Sequence, residues 1–569
     1  MPRGYLALVL HAHLPFVRHP EHPHFLEEGW LYEAITETYL PLVDRLWRLH
    51  DKGVPFRLAL GVTPTLLSML ADPLLQERYS QRLAALQELA DREEYRTRSQ
   101  PEALHRLACM YQSRLARARQ LWEGYGHNLI RALRDLQDSG HVEILASAAT
   151  HGYLPLLAVQ PEAVRAQIAV GVQAYRHDLG RDPRGFWLPE CGYSPGLDRF
   201  LASQGIRYFL TDAHGLLFAR PRPRYANYAP VFTPAGVAAF GRDLESAKQV
   251  WSATEGYPGD YWYRDFYRDI GFDLDEEYLR PYLPPGPRGP VRSMLGIKYH
   301  RITGPTPYKE WYDPERARER YQVHAGNFLF NRERQVEWLA DHMDRPPVVV
   351  CPYDAELFGH WWYEGPDWLE QVFRNLAARR NEILEPITPG DYLERHPRCQ
   401  VAEPAQSSWG YQGYSEVWLN GSNDWIYPHL HLAAQRMVEL VRRYPRAEGW
   451  RRRALNQAAR ELLLAQSSDW AFIIKAGTMV EYAVGRTRQH LHHFHRLFAA
   501  LTGQWPAPAW RDPVAGTAGG QQIAMPQAGQ PEAPGGLDPW LSALEERDNL
   551  FPFLDYRVYW PLAAAAGGA

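Results

Sequence analysis

The chain has 569 residues, enough at about 150 residues per domain for three or four units, or for one large barrel with attachments. Hydrophobic residues make up 45% and charged residues 22%, which excludes wholesale disorder. Its 62 Lys+Arg against 66 Asp+Glu leave a formal charge of -4, which excludes nucleic-acid or anionic-membrane partners held by bulk charge. Aromatic residues reach 13%, with 20 Trp and 33 Tyr, more rings than a core needs. The surplus points to a surface that stacks on sugars or nucleobases, or else to a Trp-rich core. Four cysteines without a CxxC pair give neither a disulfide framework nor a zinc knuckle, so reduced thiols and a cytoplasmic setting are expected. The opening apolar run, Tyr5 to Leu10, reads as a buried strand and not as a signal peptide, and no run approaches the ~20 apolar residues of a membrane span.

Short, continuously apolar runs at 5–11, 56–62, 141–147, 185–190, 207–211 and 347–354 predict strands buried on both faces. Helical patterns lie between several of them, which favours a parallel sheet or barrel of the β/α kind. Chemistry in such folds sits at the carboxyl ends of the strands. Five runs end in polar or ionisable residues: His11 and His13, Thr63, Thr150 with His151, Glu190, and Asp354. Residues 73–139 break the alternation as a charged helical insertion, and 225–311 form an aromatic, irregular region rich in Tyr, Pro, Gly and Asp. From about residue 406 to 505 the pattern is helical, at 428–443 and at 451–498, with a break near 467–469. A Pro/Gly/Ala-rich linker is expected over 506–536, then an aromatic tail over 537–569 that docks back on the body and ends in disorder.

Glu190 closes GFWLPE and Asp354 closes PVVVCPYD, each where an apolar run meets an aromatic turn. Two carboxylates at strand ends suit glycosidic cleavage, one attacking the sugar or activating water and the other protonating the leaving oxygen. On the pattern alone they are equally carboxylates bonded to backbone or arginine. His11 and His13, two apart, share a strand face, and with His151 and Asp354 they are either metal ligands or hydrogen-bond partners of sugar hydroxyls. The helical HLHHFHRL run is a weaker metal candidate. Trp187, Trp361, Trp362, Trp409, Trp418, Trp425 and Trp470, beside Gly, Pro, Ser or acidic residues, are candidate sugar platforms as a set.

These segments resemble glycoside hydrolase family 57, and within it the prokaryotic 1,4-α-glucan branching enzymes. The resembling stretches are LVLHAHLPFVRHP, GHVEILASAATHGYLPLL, FWLPECGYSPGLD, CPYDAELFGHWWYEGP and LLLAQSSDWAFII. The resemblance implies an α/β fold, a (β/α)7 barrel over 1–405 with a helical insertion, and an all-helical domain closing one side of the cleft. It implies Glu190 as nucleophile and Asp354 as general acid/base. His11, His13, His151, Trp30, Trp187, Trp362, Trp409, Trp418, Asp469 and Trp470 would contact the sugar. The implied reaction is metal- and cofactor-free: a retaining cleavage of α-1,4 bonds with transfer to a 6-hydroxyl, on amylose or glycogen as donor and acceptor, by a cytoplasmic monomer. An α-amylase or 4-α-glucanotransferase on the same site, a metal-dependent glycosidase or deacetylase, and a non-catalytic glucan-binding protein are the alternatives. Branching members cover the site with a tyrosine on a loop that falls within 231–257. PAGVAAFGRD offers Ala239 and Phe240 there, leaving Tyr225, Tyr228 or Tyr257 as substitutes; without one, the balance shifts toward hydrolysis.

Overall fold

The computed structural model describes residues 2–252, 254–286, 289–304, 306–379, 383–505 and 535–562. The expected linker, apart from residues 535 and 536, and the expected disordered end at 563–569 lie outside the described residues. The strands of the main sheet are β1 (Gly4–Ala12), β2 (Leu58–Val62), β3 (Val142–Ser147), β4 (Gly185–Trp187), β5 (Tyr208–Thr211), β6 (Val231–Phe232), β7 (Ala238–Gly241), β8 (Val348–Asp354), β9 (Leu384–Pro386) and β10 (Gln400–Val401). They hydrogen-bond in the order β8-β1-β2-β3-β4-β5-β7-β6-β10, with β9 alongside the start of β1, and every pairing is parallel except β6 with β7. Seven of them, β1, β2, β3, β4, β5, β7 and β8, curl into a (β/α)7 barrel. Backbone bonds from Asp243 N to Val350 O (2.8 Å) and from Val348 N to Tyr228 O (2.9 Å) tie the seam between β7 and β8.

Side chains alternate across a strand, so each barrel strand feeds two cores. Tyr5, Ala7 and Val9 of β1 pack in the lumen with Leu145, Trp187, Tyr208, Leu210, Ala238, Phe240, Val348 and Val350. Leu6, Leu8 and Leu10 face outward against the helical shell. This double burial explains why the strands read as unbroken apolar runs. It also sets the site: carrying the inward phase to the carboxyl ends brings His11 from β1, Asp212 after β5, Arg242 after β7 and Asp354 from β8 to the mouth of the lumen. His11 and Asp354 are direct register partners.

Between β2 and β3, helices Pro73–Thr97, Glu102–Gly124 and Leu129–Asp138 form the insertion; the first is capped by the Asp72 carboxylate, which accepts from Leu75 N at 3.1 Å. The irregular region needs one correction, because Ala238–Gly241 is a barrel strand. Its run is too short and too glycine- and alanine-rich to stand out by composition. Helices Ile426–Arg443, Gly449–Ala465, Ser468–Ala476 and Val480–Leu501 build the C-terminal layer; besides the break at 467–469, a second falls at Gly477, left-handed at φ 78°. The tail segment 535–562 packs against both layers. Arg18 donates to the Arg547 carbonyl (3.2 Å), Asn549 to Asp72 (3.0 Å), and Arg165 to the Val558 carbonyl (2.8 Å).

Candidate active site

Glu190 occupies a tight turn just past β4, with left-handed φ 61° and ψ 22°; Cys191 (φ 50°) and His151 (φ 56°) are also left-handed. Such conformations cost non-glycine residues about 1–3 kcal/mol each, and three at one place mark a constrained functional turn. Trp409 holds Glu190 from both sides: its N–H donates to the Glu190 carbonyl (3.0 Å) and its indole Nε1 to Oε2 (2.8 Å). Ser468 Oγ donates to Oε1 at 3.3 Å, so the helical layer also touches this carboxylate. Burial pushes the Glu190 carboxyl up to about 7, against the lowering effect of the Trp409 bond. Asp354 is raised well above the carboxylate range by burial, by the charge of Glu356 and by that of Glu190. Two neighbouring carboxyls with different proton affinities suit an ionised nucleophile beside a protonated acid.

Behind them lies a histidine stack. His11 lies flat against Trp187, with ring centroids 4.3 Å apart, and its Nε2 hydrogen-bonds His151 Nε2 at 3.0 Å. Glycine at position 61 makes room for it, because a Cβ there would stand 3.1 Å from His11 Nδ1. His13 stacks on His151 at 3.8 Å, bonds Thr63 Oγ1 through Nδ1 (3.0 Å) and Asp469 Oδ1 through Nε2 (3.0 Å). His151 Nδ1 meets Ser468 Oγ at 2.9 Å. Burial drives His11 and His151 well below the usual histidine range, so both are neutral. Burial also opposes charge on His13, but Asp469, Glu190 and Glu356 outweigh it and raise the ring. Protonated His13 thus places a positive charge near Glu190. The donor set does not fit the metal alternative. Except for His11 Nδ1, every ring nitrogen of the three histidines is bonded to a protein group, and the set does not converge on one point. In the helical layer, His490 and His493 face Glu461 at 2.8 and 3.3 Å. Arg547 bonds Asp548 there at 3.1 Å and Arg486 lies 3.6 Å from it, so charges balance without a cation.

Both carboxylates open into one cleft of about 1400 Å³, also lined by His11, His13, His151, Trp30, Trp409, Trp418 and Asp469. Three expected contacts lie behind that lining. Trp187 backs His11; Trp362 is buried among Tyr263, Phe358 and Trp368; Trp470 is buried with its indole bonded to the Leu464 carbonyl at 2.8 Å. The neighbour Trp361, 54% exposed, lines the cleft instead and stacks on Phe266 at 4.4 Å. Residues the sequence reading missed are Glu356, Arg242, Phe266 and Tyr267. Glu356 accepts from His13 N (3.1 Å) and Tyr39 OH (2.6 Å), and its signal was its place two residues past Asp354. Arg242 was hidden with β7. None of the three candidate covering tyrosines reaches the cleft. Tyr228 sits at the opposite end of the barrel, Tyr225 lies near Asp344, and Tyr257 is buried, bonded to Asn327 (2.8 Å) and stacked on His324. The tyrosines that line the cleft rim are Tyr267 and Tyr411, 76% and 73% exposed.

The profile of glycosyl hydrolase family 57 matches residues 7–403. The chain belongs to that family. A second profile, the C-terminal part of 1,4-alpha-glucan branching enzymes, matches residues 429–515. This family 57 chain is 36% identical over 530 residues to a 1,4-alpha-glucan branching enzyme of Thermococcus kodakarensis, covering 87% of the chain and 73% of the relative. Among solved structures, the alpha-amylase AmyC of Thermotoga maritima superposes with a TM-score of 0.87 at 41% identity, covering 99% of this chain and 100% of the other. A branching enzyme of Pyrococcus horikoshii superposes with a TM-score of 0.82 at 32% identity, covering 99% and 97%.

The Trp409 bond has a measurable consequence. Because it favours the ionised form of Glu190, Trp409→Phe raises the pKa of that carboxyl. The acid limb of kcat/KM, expected near pH 7 in the parent from the value of about 7, then moves alkaline by about one pH unit, the size set by losing one hydrogen bond to a charged group. A pH–rate series on one soluble glucan checks this; an unmoved limb means that Glu190 is not the group titrating.

Proposed function

We propose that the chain is a retaining 1,4-α-glucan branching enzyme, acting as a cytoplasmic monomer on amylose- or glycogen-type donors and acceptors. The observation that carries this reading is the cleft shared by Glu190 and Asp354, in which one carboxyl has an indole donor and the other has two like charges for neighbours. Ionised Glu190 attacks C1 of the donor sugar while Asp354 gives its proton to the departing 4-oxygen. The C1–O bond breaks, and a covalent glycosyl-enzyme forms on Glu190. The Asp354 carboxylate then takes the proton of an acceptor 6-hydroxyl, whose oxygen displaces Glu190 from C1 and makes the α-1,6 link. The chemistry calls on no metal or organic cofactor. His13, held by Thr63 and Asp469, stabilises the Glu190 carboxylate before it attacks and again when the acceptor displaces it. Trp30, Trp409 and Trp361 supply faces for pyranose rings, while Trp418, buried and stacked on Tyr153 at 4.4 Å, backs the wall behind them. Four free thiols suit a reducing compartment, and among the described residues no helix is long and apolar enough to cross a membrane.

A second reading, hydrolysis on the same site, is favoured by two observations: the likeness to an alpha-amylase over 99% of the chain, and the absence of Tyr225, Tyr228 and Tyr257 from the cleft lining. A less covered site lets water compete with the acceptor. Incubation with amylose, then enzymatic debranching and chain-length analysis, separates the two. New α-1,6 links support branching; reducing ends that rise without branches select hydrolysis; redistributed linear chains select 4-α-glucan transfer. Glucan binding without any product returns the non-catalytic alternative.

A further inference from the structure

Helix Glu28–Ala34 stands between two cavities. Trp30 and Ala34 face the catalytic cleft, while Gly29 and Tyr32 face a second space of about 350 Å³. That space is bounded by helices Pro73–Thr97 and Glu102–Gly124 of the insertion and by residues 281–285 and 293–297. It lies within the range of ligand sites, ~300–1,000 Å³. Glu33, Arg264 and Met294 line both spaces, so the second cavity adjoins the cleft along that wall.

Its wall is built for a polar, uncharged guest. Arg264 is 3% exposed and its Nε has no hydrogen-bond partner; Nη1 and Nη2 reach only Tyr111 OH and the His360 carbonyl, at 3.5 and 3.4 Å. Arg78 is taken up by Glu28 (2.6 Å), and Arg82 by the Tyr282 carbonyl (2.7 Å). Glu37 bonds His360 at 2.6 Å. Four guanidinium groups (Arg78, Arg82, Arg114 and Arg264) and three carboxyl groups (Glu28, Glu33 and Glu37) thus share the lining, so donors and acceptors of both signs face the space and no strong single-sign field selects a phosphate or an acidic peptide. Sugar hydroxyls both donate and accept, and so suit both kinds of group, while the Phe25 and Tyr282 rings offer faces to C–H surfaces.

We propose that this second cavity is a glucan-binding arm of the active site, in which an α-1,4-glucan chain leaves the cleft past Glu33 and Arg264 and lodges between helix Glu28–Ala34 and the insertion. This rests on the glucan reading above and gives the chain a course beyond the reacting sugar. Burial lifts the Glu33 carboxyl to about 7, so near neutral pH it is available both to give and to take a hydrogen bond with a hydroxyl.

The test plugs the arm from opposite walls. A Cβ at Gly29 meets nothing within 4 Å, and replacing a helical glycine favours the helix, so Gly29→Trp fills the space without forcing the backbone. Ala85→Trp fills it from the insertion and keeps the test valid if the first variant disturbs packing. Each purified variant is checked for an unchanged melting temperature, then assayed with amylose and with a chromogenic maltooligosaccharide too short to reach from the cleft into the arm. The expected result is a KM for amylose raised about tenfold, the equivalent of one lost anchoring contact, with kcat and the short-substrate kcat/KM within about twofold of the parent. Folded variants with an unchanged amylose KM overturn the arm alone. A parent protein inert toward both substrates overturns the glucan reading, and the arm with it.

Discussion

Glu190→Gln lowers kcat on a soluble α-glucan by about 10⁴-fold or more, the scale of losing a covalent nucleophile. The amide is close in shape and still accepts from the Trp409 indole, now 2.8 Å from Oε2, so the loss falls on chemistry and not on folding. The melting temperature is expected to hold, because the wild-type carboxylate already bears a desolvation penalty that lifts it to about 7. Glu190→Ala with added azide sharpens the result. With the nucleophile gone, azide attacks C1 directly and the product is the β-glycosyl azide. A glutamine variant that keeps more than about one percent of the parent rate removes Glu190 from the nucleophile role.

Asp354→Asn lowers kcat about 10²- to 10⁴-fold, the usual range for a lost general acid/base. The loss depends on the leaving group: a donor with a fluoride or nitrophenolate leaving group needs no protonation, so its first step is nearly spared and the glycosyl-enzyme accumulates. With Asp354→Ala, azide intercepts that intermediate and gives the α-glycosyl azide, the opposite anomer from the Glu190 case. The two anomers identify the roles independently of any rate. If both variants yield the β product, the enzyme is inverting; that outcome requires carboxyls ~6.5–9.5 Å apart, against ~5–5.5 Å for retention.

Much of this site was legible in the chain itself. All six expected strands are present within a few residues, because strands buried on both faces must be continuously apolar. Glu190 and Asp354 stood out because each breaks such a run where a barrel displays its chemistry. The barrel strand not foreseen, Ala238–Gly241, has four small or isolated residues and no periodicity; its place in the lumen is set by parallel pairing to β5, a contact between segments far apart in the chain. With it went Arg242. The tryptophans show the same division. Composition announced a surplus of indoles, but adjacent Trp361 and Trp362 have the same local signal, and only packing turns one into the cleft and the other into the core.

By itself, then, the order of residues determined the β/α class, the helical attachments and the two carboxyls at the strand ends, since burial pattern and side-chain alternation are local properties; barrel rather than open sheet was only what the family resemblance implied. Tertiary structure decided which histidines are neutral and which is charged, that Asp469 and Ser468 from the helical layer complete the site, and that the candidate covering tyrosines lie elsewhere. Those outcomes depend on desolvation and on partners hundreds of residues away, such as Asp469 beside His13, and no local pattern encodes them.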